Sequence, residues 1–598
     1  MKLSTFLHDN FVPHIPKPQK QASSLVQPVV VDDISKEKSN KYPDFDTKSV
    51  NSLPTSSING DNQLHRALKG RHLQLLGIGA TIGTGLFVTI SKALVYGPLS
   101  LFLGFVFWSI PILCITVSVA EYVIYLPITS PFVRLGGRCC DTALEVMTAW
   151  NFWFLCCAQI PFEVVGVNSV LHFWRDDFSP AIPLAIQVVL YFIINIFGVS
   201  VYGEVEFWLS LGKVILAIGL ILFTFIVMVG GNPHHDAFGF RYWNNPGPMN
   251  SVFPYADALV THHGSLARFQ GFLQCVIQAC YTFAGPEYIS LVAAEVGGDV
   301  RKTLRSAYLQ VFIRLSIFFI GGALCVGILV PYNDKTLLET LGASKPGAGS
   351  SPYVIAMQNL NIKVLPHIMN ALLVTAAFSA GNSYTYCSSR TLYGFALDGF
   401  APKFLTATTK TGIPIYCVLI SLCWAFLSFL QLGDGALEVL SWIINIITSC
   451  QLINFFILCV VYLFFYRALK AQGIDRSTLP FVSWFQPYTA IFGGLSAFTM
   501  IFVASYQVFV PGNWDIKTFL FSYLFIFIDI AIFIGYKLWR RTKWRDPKEV
   551  DLVTGLREVE EHEERYFDEL LKQHRLDDEG HVKVAWWKRV LTVLFGSD

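Results

Sequence analysis

Twelve stretches of about 20 or more mostly apolar residues, each long enough to cross the hydrocarbon of a bilayer as a helix, punctuate this chain. They run over 74–95, 98–126, 147–173, 182–200, 203–231, 269–295, 304–331, 365–393, 414–432, 436–464, 487–509 and 517–538. Lipid offers no water to an unpaired backbone N–H or C=O, so such segments must close their hydrogen bonds internally. The predicted fold class is therefore all-α integral membrane, with 12 transmembrane helices. Composition agrees: 14% of residues are charged and 53% hydrophobic, against roughly 25% charged in an average soluble domain. An ordinary soluble enzyme is excluded. A net charge of +2 leaves no basic excess for a phosphate backbone, which argues against nucleic acid. The 13 cysteines are scattered with no CxxC pair, so they read as apolar filler, and no metal site is expected. There is no P-loop and no HExxH motif, and the expectation is a non-enzyme without a cofactor.

Residues 1–73 are rich in Lys, Ser, Pro, Asp and Asn and lack an apolar leader, so they read as a largely disordered tail. Residues 74–540 form the twelve-helix domain, and 541–598 a second tail. If both tails face the cytoplasm, the opposite loops hold eight basic residues, Lys92, Arg175, Arg241, Arg268, Lys335, Lys345, Lys363 and Lys517. The tail side holds about twice as many, which the positive-inside rule assigns to the cytoplasm. The second tail has a charged stretch over Glu558–Lys572 suited to a helix, then an apolar Trp-Trp-Lys-Arg segment at 585–595 suited to a membrane interface or to docking on the protein's own face.

Two spans break the rules of a membrane helix. The first carries Gly77, Gly79, Gly83 and Gly85 within nine residues. A dinucleotide fingerprint is excluded there, because Ile82 stands where the third glycine is needed. Close helix packing through small residues is the competing explanation. The sixth span places Gly285, Pro286 and Glu287 in mid-membrane. Proline removes a donor and clashes one turn back, and a paired interruption five spans apart points to a transporter core of five-plus-five inverted repeats with broken helices one and six. Free N–H groups at one half-helix end suit an anion and free carbonyls at the other suit an ammonium. A zwitterion fits both.

Further ionisable residues lie inside apolar runs: Glu121, Glu163, Lys213, Arg314 and Asp529. Each is costly in a membrane and so is a functional candidate, although Glu121 and Asp529 also fit helix ends. Lys213 lies about ten residues into span five, too deep to snorkel, and is the candidate for proton coupling, with a packed ion pair as the alternative.

The segments Ala80–Phe87, Tyr202–Trp208 followed by Lys213, Phe283–Glu287, and Asn382–Arg390 running to Ala401–Lys403 together resemble the fungal amino-acid permease family, within the amino acid–polyamine–organocation superfamily. The resemblance covers roughly residues 64–545. It implies that a substrate carboxylate meets the N–H groups of Thr84 and Gly85, and that the amine meets carbonyls of Thr81, Tyr281 and Ala284. Phe283 becomes the aromatic gate, Glu287 orients the span-six break or takes part in proton coupling, and Lys213 stands where sodium-coupled relatives hold a cation. Two departures stand out: Pro286 replaces the usual Thr, and Ala80 the usual Gly. Other stretches, including Gln159–Glu163, resemble a divergent plasma-membrane branch associated with carnitine and polyamine uptake. Carnitine needs an aromatic cage, for which Tyr281, Phe283, Tyr288, Trp150 and Trp153 are available; polyamines need an acidic path, for which Glu121, Glu163 and Glu287 are.

The leading expectation is a proton-coupled importer of amino acids or related amines such as carnitine or polyamines, multi-pass in the plasma membrane. A sensor of the same fold that controls other carriers without sustained flux is the alternative. The tail lysines Lys17, Lys20, Lys36, Lys38, Lys41 and Lys48 suit ubiquitin-ligase adaptors. His234/His235 and His262/His263 read as solvated loop residues rather than a metal site.

Overall fold

The computed structural model describes residues 83–572, apart from 176, 197–198, 254–261, 343–350, 410–411, 433–435 and 511. The first tail, the start of span 1 with Thr81, and the segment at 585–595 lie outside the described residues.

Every predicted span is helical where it is described. Span 1 is a π turn at Gly85–Thr89 followed by Ser91–Leu94. Span 2 is Pro98–Tyr125, span 3 Thr142–Leu171, span 4 Ala181–Ile196 and span 5 Val199–Met228. Span 6 is split into Gly264–Thr282 and Pro286–Leu291. Span 7 runs Val300–Arg314, passes through a π segment at Leu315–Ile320 and ends with Gly321–Leu329. Span 8 is Leu365–Leu397; span 9 is Ile415–Cys423 continued by a tighter 3-10 turn at Trp424–Leu432. Spans 10, 11 and 12 are Ala436–Ala471, Tyr488–Val503 and Ile516–Arg540. Among the described residues, one departure from an all-helical chain is a two-residue antiparallel pair, Val252–Phe253 with His262–His263, in an inter-span loop.

Helix starts follow capping chemistry that hydropathy does not register. Span 3 begins before the apolar run because Asp141 accepts from the Ala143 N–H at 2.9 Å, satisfying a donor that the helix end leaves orphaned. Asp299 and Asp515 cap spans 7 and 12 in the same way. Among the described residues, seven helices are long and apolar enough to cross a membrane by themselves. Span 8 is not among them, because its middle carries Ser379, Asn382, Ser383, Thr385, Ser388 and Ser389, all buried. A polar helix is tolerated at membrane depth when protein, not lipid, surrounds it. Spans 2, 3 and 10 share that interior, whereas span 5 turns Trp208, Ile215 and Phe225 outward.

The second tail docks on the face where the chain leaves span 12. Trp544 stacks on Phe464 (5.5 Å between ring centroids, 9° between planes), and the Arg545 N–H donates to the Cys140 carbonyl at 2.9 Å. Arg138 donates to the Thr554 carbonyl and Gln472 to that of Val550, both at 2.8 Å. Gly555, at φ +95°, lies so close to Ile128 that an added Cβ would come within 2.9 Å of its side chain. The helix expected from the charged stretch forms at Leu556–Lys572, buries Val559, and is held by Arg301, whose N–H and Nη1 both donate to Glu563 at 3.1 Å. Burial holds the Glu563 carboxyl above its ordinary value of 4.5, outweighing the opposing pull of Arg301. The docked helix therefore takes up protons, and docking strengthens as pH falls from neutral through the raised value towards the ordinary one. Amide exchange over 556–568 is expected to slow on mild acidification, and Glu563→Gln to remove that response.

Candidate functional site

At the first described residues of span 1, beside the expected break, two glycines let side chains approach backbone. An added Cβ on Gly83 would lie 2.3 Å from Glu163 Oε1, and one on Gly166 would lie 2.5 Å from Thr84 Cγ2. Spans 1 and 3 are thereby pressed together, and Glu163 reaches the break: Thr84 donates to its Oε2 from the hydroxyl at 3.1 Å and from the backbone at 3.4 Å. The N–H that the resemblance assigns to a substrate carboxylate thus faces a carboxyl of the protein. Gly85 faces Tyr281 and Thr282 of span 6, each 3.7 Å from the position of a Cβ.

Lys213 is buried on span 5 with Glu206 and Glu163 as its electrostatic neighbours. Glu206, also buried, accepts from Ser210 at 3.0 Å and from Ser379 of span 8 at 2.7 Å, while its Oε2 has no hydrogen-bond partner. Three ionisable groups from spans 3 and 5 therefore converge beside the span-1 break, tied to span 8. Fully ionised, they carry two negative charges against one positive, and an uncompensated charge at this depth is costly. A proton or a cationic solute group balances the set. Sequence reasoning singled out Lys213 and Glu163 but not Glu206, which lies inside the Tyr202–Trp208 motif. The signal was present, since Glu206, Ser210 and Lys213 at i, i+4 and i+7 share one helix face.

The span-6 break lies where Gly285, at φ +155°, separates Thr282 from Pro286. The first half therefore ends with carbonyls that have no helical donor. Tyr308 donates to the Pro286 carbonyl at 3.2 Å, and Gln451 of span 10 donates to Glu287 Oε1 at 2.8 Å, leaving Oε2 buried without a partner. Tyr281 packs edge-on against Phe162 at 5.5 Å, and Ala284 is half-buried. Phe283 is fully buried, with its ring against Phe105 of span 2 (5.5 Å) and Phe319 of span 7 (4.7 Å). Among the described residues, the aromatic ring beside Gly85 of span 1 is that of Tyr281.

Other candidates are dispersed. Glu121 is taken up in a structural ion pair: Arg476 donates to both its oxygens at 2.9 and 2.8 Å, Tyr462 donates at 3.1 Å, and the Ser483 N–H donates at 2.8 Å with its hydroxyl also engaged. With that many donors it joins span 2 to the end of span 10, and the acidic path through Glu121, Glu163 and Glu287 is not assembled. Nor is an aromatic cage, since Trp150 and Trp153 pack with Phe395 and Trp424, and Tyr288 with Phe152 and Tyr384. Among the described residues, no group of His, Cys, Asp and Glu is arranged to hold a metal.

Residues 72–548 match the sequence profile of a family described as amino acid permease. The chain is 54% identical to the general amino acid permease AGP2 of Saccharomyces cerevisiae, covering 85% of this chain and 86% of that protein. It is 35% identical to a proline-specific permease of the same yeast (84% and 81% covered) and 33% identical to a lysine/arginine permease of Candida albicans (90% and 94%).

Proposed function

The chain belongs to the amino acid permease family, a family of multi-pass membrane transporters and not enzymes, and on that premise we propose that it is a proton-coupled importer of amino-bearing solutes in the plasma membrane, with both termini in the cytoplasm. The observation that carries this reading is the buried set Glu163, Lys213 and Glu206, bonded through Thr84 to the span-1 break. A solute ammonium that enters beside Thr84, or a proton on one carboxyl, each supplies the missing positive charge, so occupancy by one affects the other. The free N–H groups of the span-1 break, Thr84 and Gly85 among them, then serve the solute carboxylate once Glu163 releases Thr84. Carbonyls of Thr81, Tyr281 and Ala284 serve the amine, and Glu287, held by Gln451, keeps the second break in register. Donors and acceptors of this kind suit a primary or secondary ammonium. Carnitine, whose quaternary nitrogen donates no hydrogen bond, is the poorer fit, and a polyamine is accommodated only at the carboxyls of this one cluster. The basic residues of the tail-bearing face support the orientation. This orientation puts the tail lysines in the compartment where ubiquitin-ligase adaptors act.

The test is uptake of a labelled neutral amino acid, lysine, spermidine and carnitine into proteoliposomes holding only this protein, with and without an inward proton gradient. Gradient-driven accumulation of an amino acid above carnitine is expected. Solute binding without accumulation under either condition would replace the transporter by a receptor of the same fold.

A further inference from the structure

Spans 3, 10 and 12 pack against one another, and a buried carboxyl at their junction is unanswered. Asp529 of span 12 is 3% exposed, and neither of its oxygens has a hydrogen-bond partner. The helix register shows what surrounds it. Trp442 of span 10 stacks on Phe521 of span 12 at 4.8 Å, and eight residues further along each parallel helix come Cys450 and Asp529, which are electrostatic neighbours. Phe154 of span 3 packs on Phe525 at 5.3 Å, and one turn towards the tail side from this pair lie Asn151 and Asp529. Asn151 donates from Nδ2 to the Cys450 carbonyl at 3.0 Å, which closes the triangle. Its Oδ1 is left buried without a partner, as are both polar atoms of Asn454, one turn along span 10.

Within one helical turn of Cys450 along this seam stand two carboxyl oxygens and two amide oxygens without a partner, with one amide nitrogen to serve them. Buried polar groups kept for structure alone are almost always satisfied, and a carboxylate with no cation or donor is among the costliest groups to bury. Hard oxygen donors call for a hard cation, and a single formal negative charge matches a monovalent one. A cavity lies next to this junction. The hydroxyls of Ser449 and Ser522, also without partners, line a cavity of about 70 Å³ together with Gln278, Asn445, Thr448 and Ser505, and Ser449 directly precedes Cys450. That volume accommodates a few water-sized species.

We propose that Asp529, with Asn151 and Asn454, forms a binding site for a small monovalent cation, a proton or an alkali ion, reached from the cavity at Ser449 and separate from the Lys213 cluster. The titratable group facing it from span 10 is the Cys450 thiol. On span 3 the nearest charged residues are Glu145 and Asp141, and on span 12 it is Lys537; these lie nearly two turns away or more, with Lys537 and Asp141 paired to each other. The site does not depend on the transport reading, because its test is binding.

The experiment uses the full chain in lipid nanodiscs and has two arms: retention of radiolabelled sodium, and the infrared band of protonated carboxyls followed across the neutral pH range. Sodium retained by wild type and lost to background in Asp529→Asn identifies an alkali ion. A carboxylic-acid band that grows on acidification, is absent in Asp529→Asn and occurs without sodium retention identifies a proton. Asn454→Leu keeps the carboxyl and is expected to weaken whichever occupancy is found by at least about tenfold, so the proposal stays testable if Asp529→Asn folds poorly. Wild type that retains no sodium and shows no band that both titrates and depends on Asp529 overturns it, as does unaltered occupancy in Asn454→Leu.

Discussion

Lys213→Met is expected to abolish gradient-driven uptake, to a residual of at most about one part in 10² to 10³. Lys213 is the cation of a buried set whose other members are Glu163 and Glu206. Removing one partner of a buried ion pair leaves an uncompensated charge worth about 3–5 kcal/mol, and a cost of that size borne by the coupled transport step slows it by about 10² to 10³ or more. Methionine preserves the length of the stem, so the loss is of charge and not of packing. A fold defect alone gives the same loss, and a double variant separates the two causes. Lys213→Met with Glu206→Gln restores the formal charge of the cluster, and Gln retains an oxygen to accept from Ser210 and Ser379. The double variant is expected to recover wild-type amounts of folded protein, yet to show uptake or exchange that no longer responds to the proton gradient. Unaltered gradient dependence in the single variant removes Lys213 from the coupling step.

Gly83→Ala is the second large effect, and it acts through space alone. The new Cβ would lie 2.3 Å from Glu163 Oε1 and 3.2 Å from the Ala380 side chain, so Glu163 must swing away and give up both bonds from Thr84. Overpacking of this kind costs about 1–3 kcal/mol. Here that cost falls on the contact between Glu163 and Thr84, which ties the charged set to span 1. Uptake is expected to fall by at least about tenfold, with a shifted pH dependence. Gly212→Ala is the control: it neighbours Lys213 on span 5, and its Cβ would meet nothing within 4 Å. Wild-type uptake by Gly83→Ala would show that Glu163 need not sit against Thr84.

Much of the architecture was legible because a membrane permits few alternatives. Every apolar stretch was found as a helix where described, and the Gly-Pro pair of span 6 broke its helix as a missing donor and a glycine-only φ require. Helix starts were less legible, since Asp141 and Asp299 act by capping and contribute nothing to hydropathy. Side-chain direction was not legible at all. Tyr281 sets its ring beside Gly85 and Phe283 sets its own against Phe105 and Phe319, because residues 283–285 have left the helix and no longer follow its 3.6-residue period.

By itself, the sequence determined that the chain is a bundle of membrane helices with an interruption in span 6 and too many buried charges to be inert. Hydrophobic length, backbone satisfaction and the cost of burying charge are local properties, readable along one dimension. Only the tertiary structure decided which charges answer each other. Glu121 and Glu163 are both carboxyls inside apolar runs, yet one is saturated by Arg476, Tyr462 and Ser483 and the other faces Lys213 and Thr84. The partners lie far apart in the chain, and helix packing, which sets the face each span turns to its neighbours, brings them together.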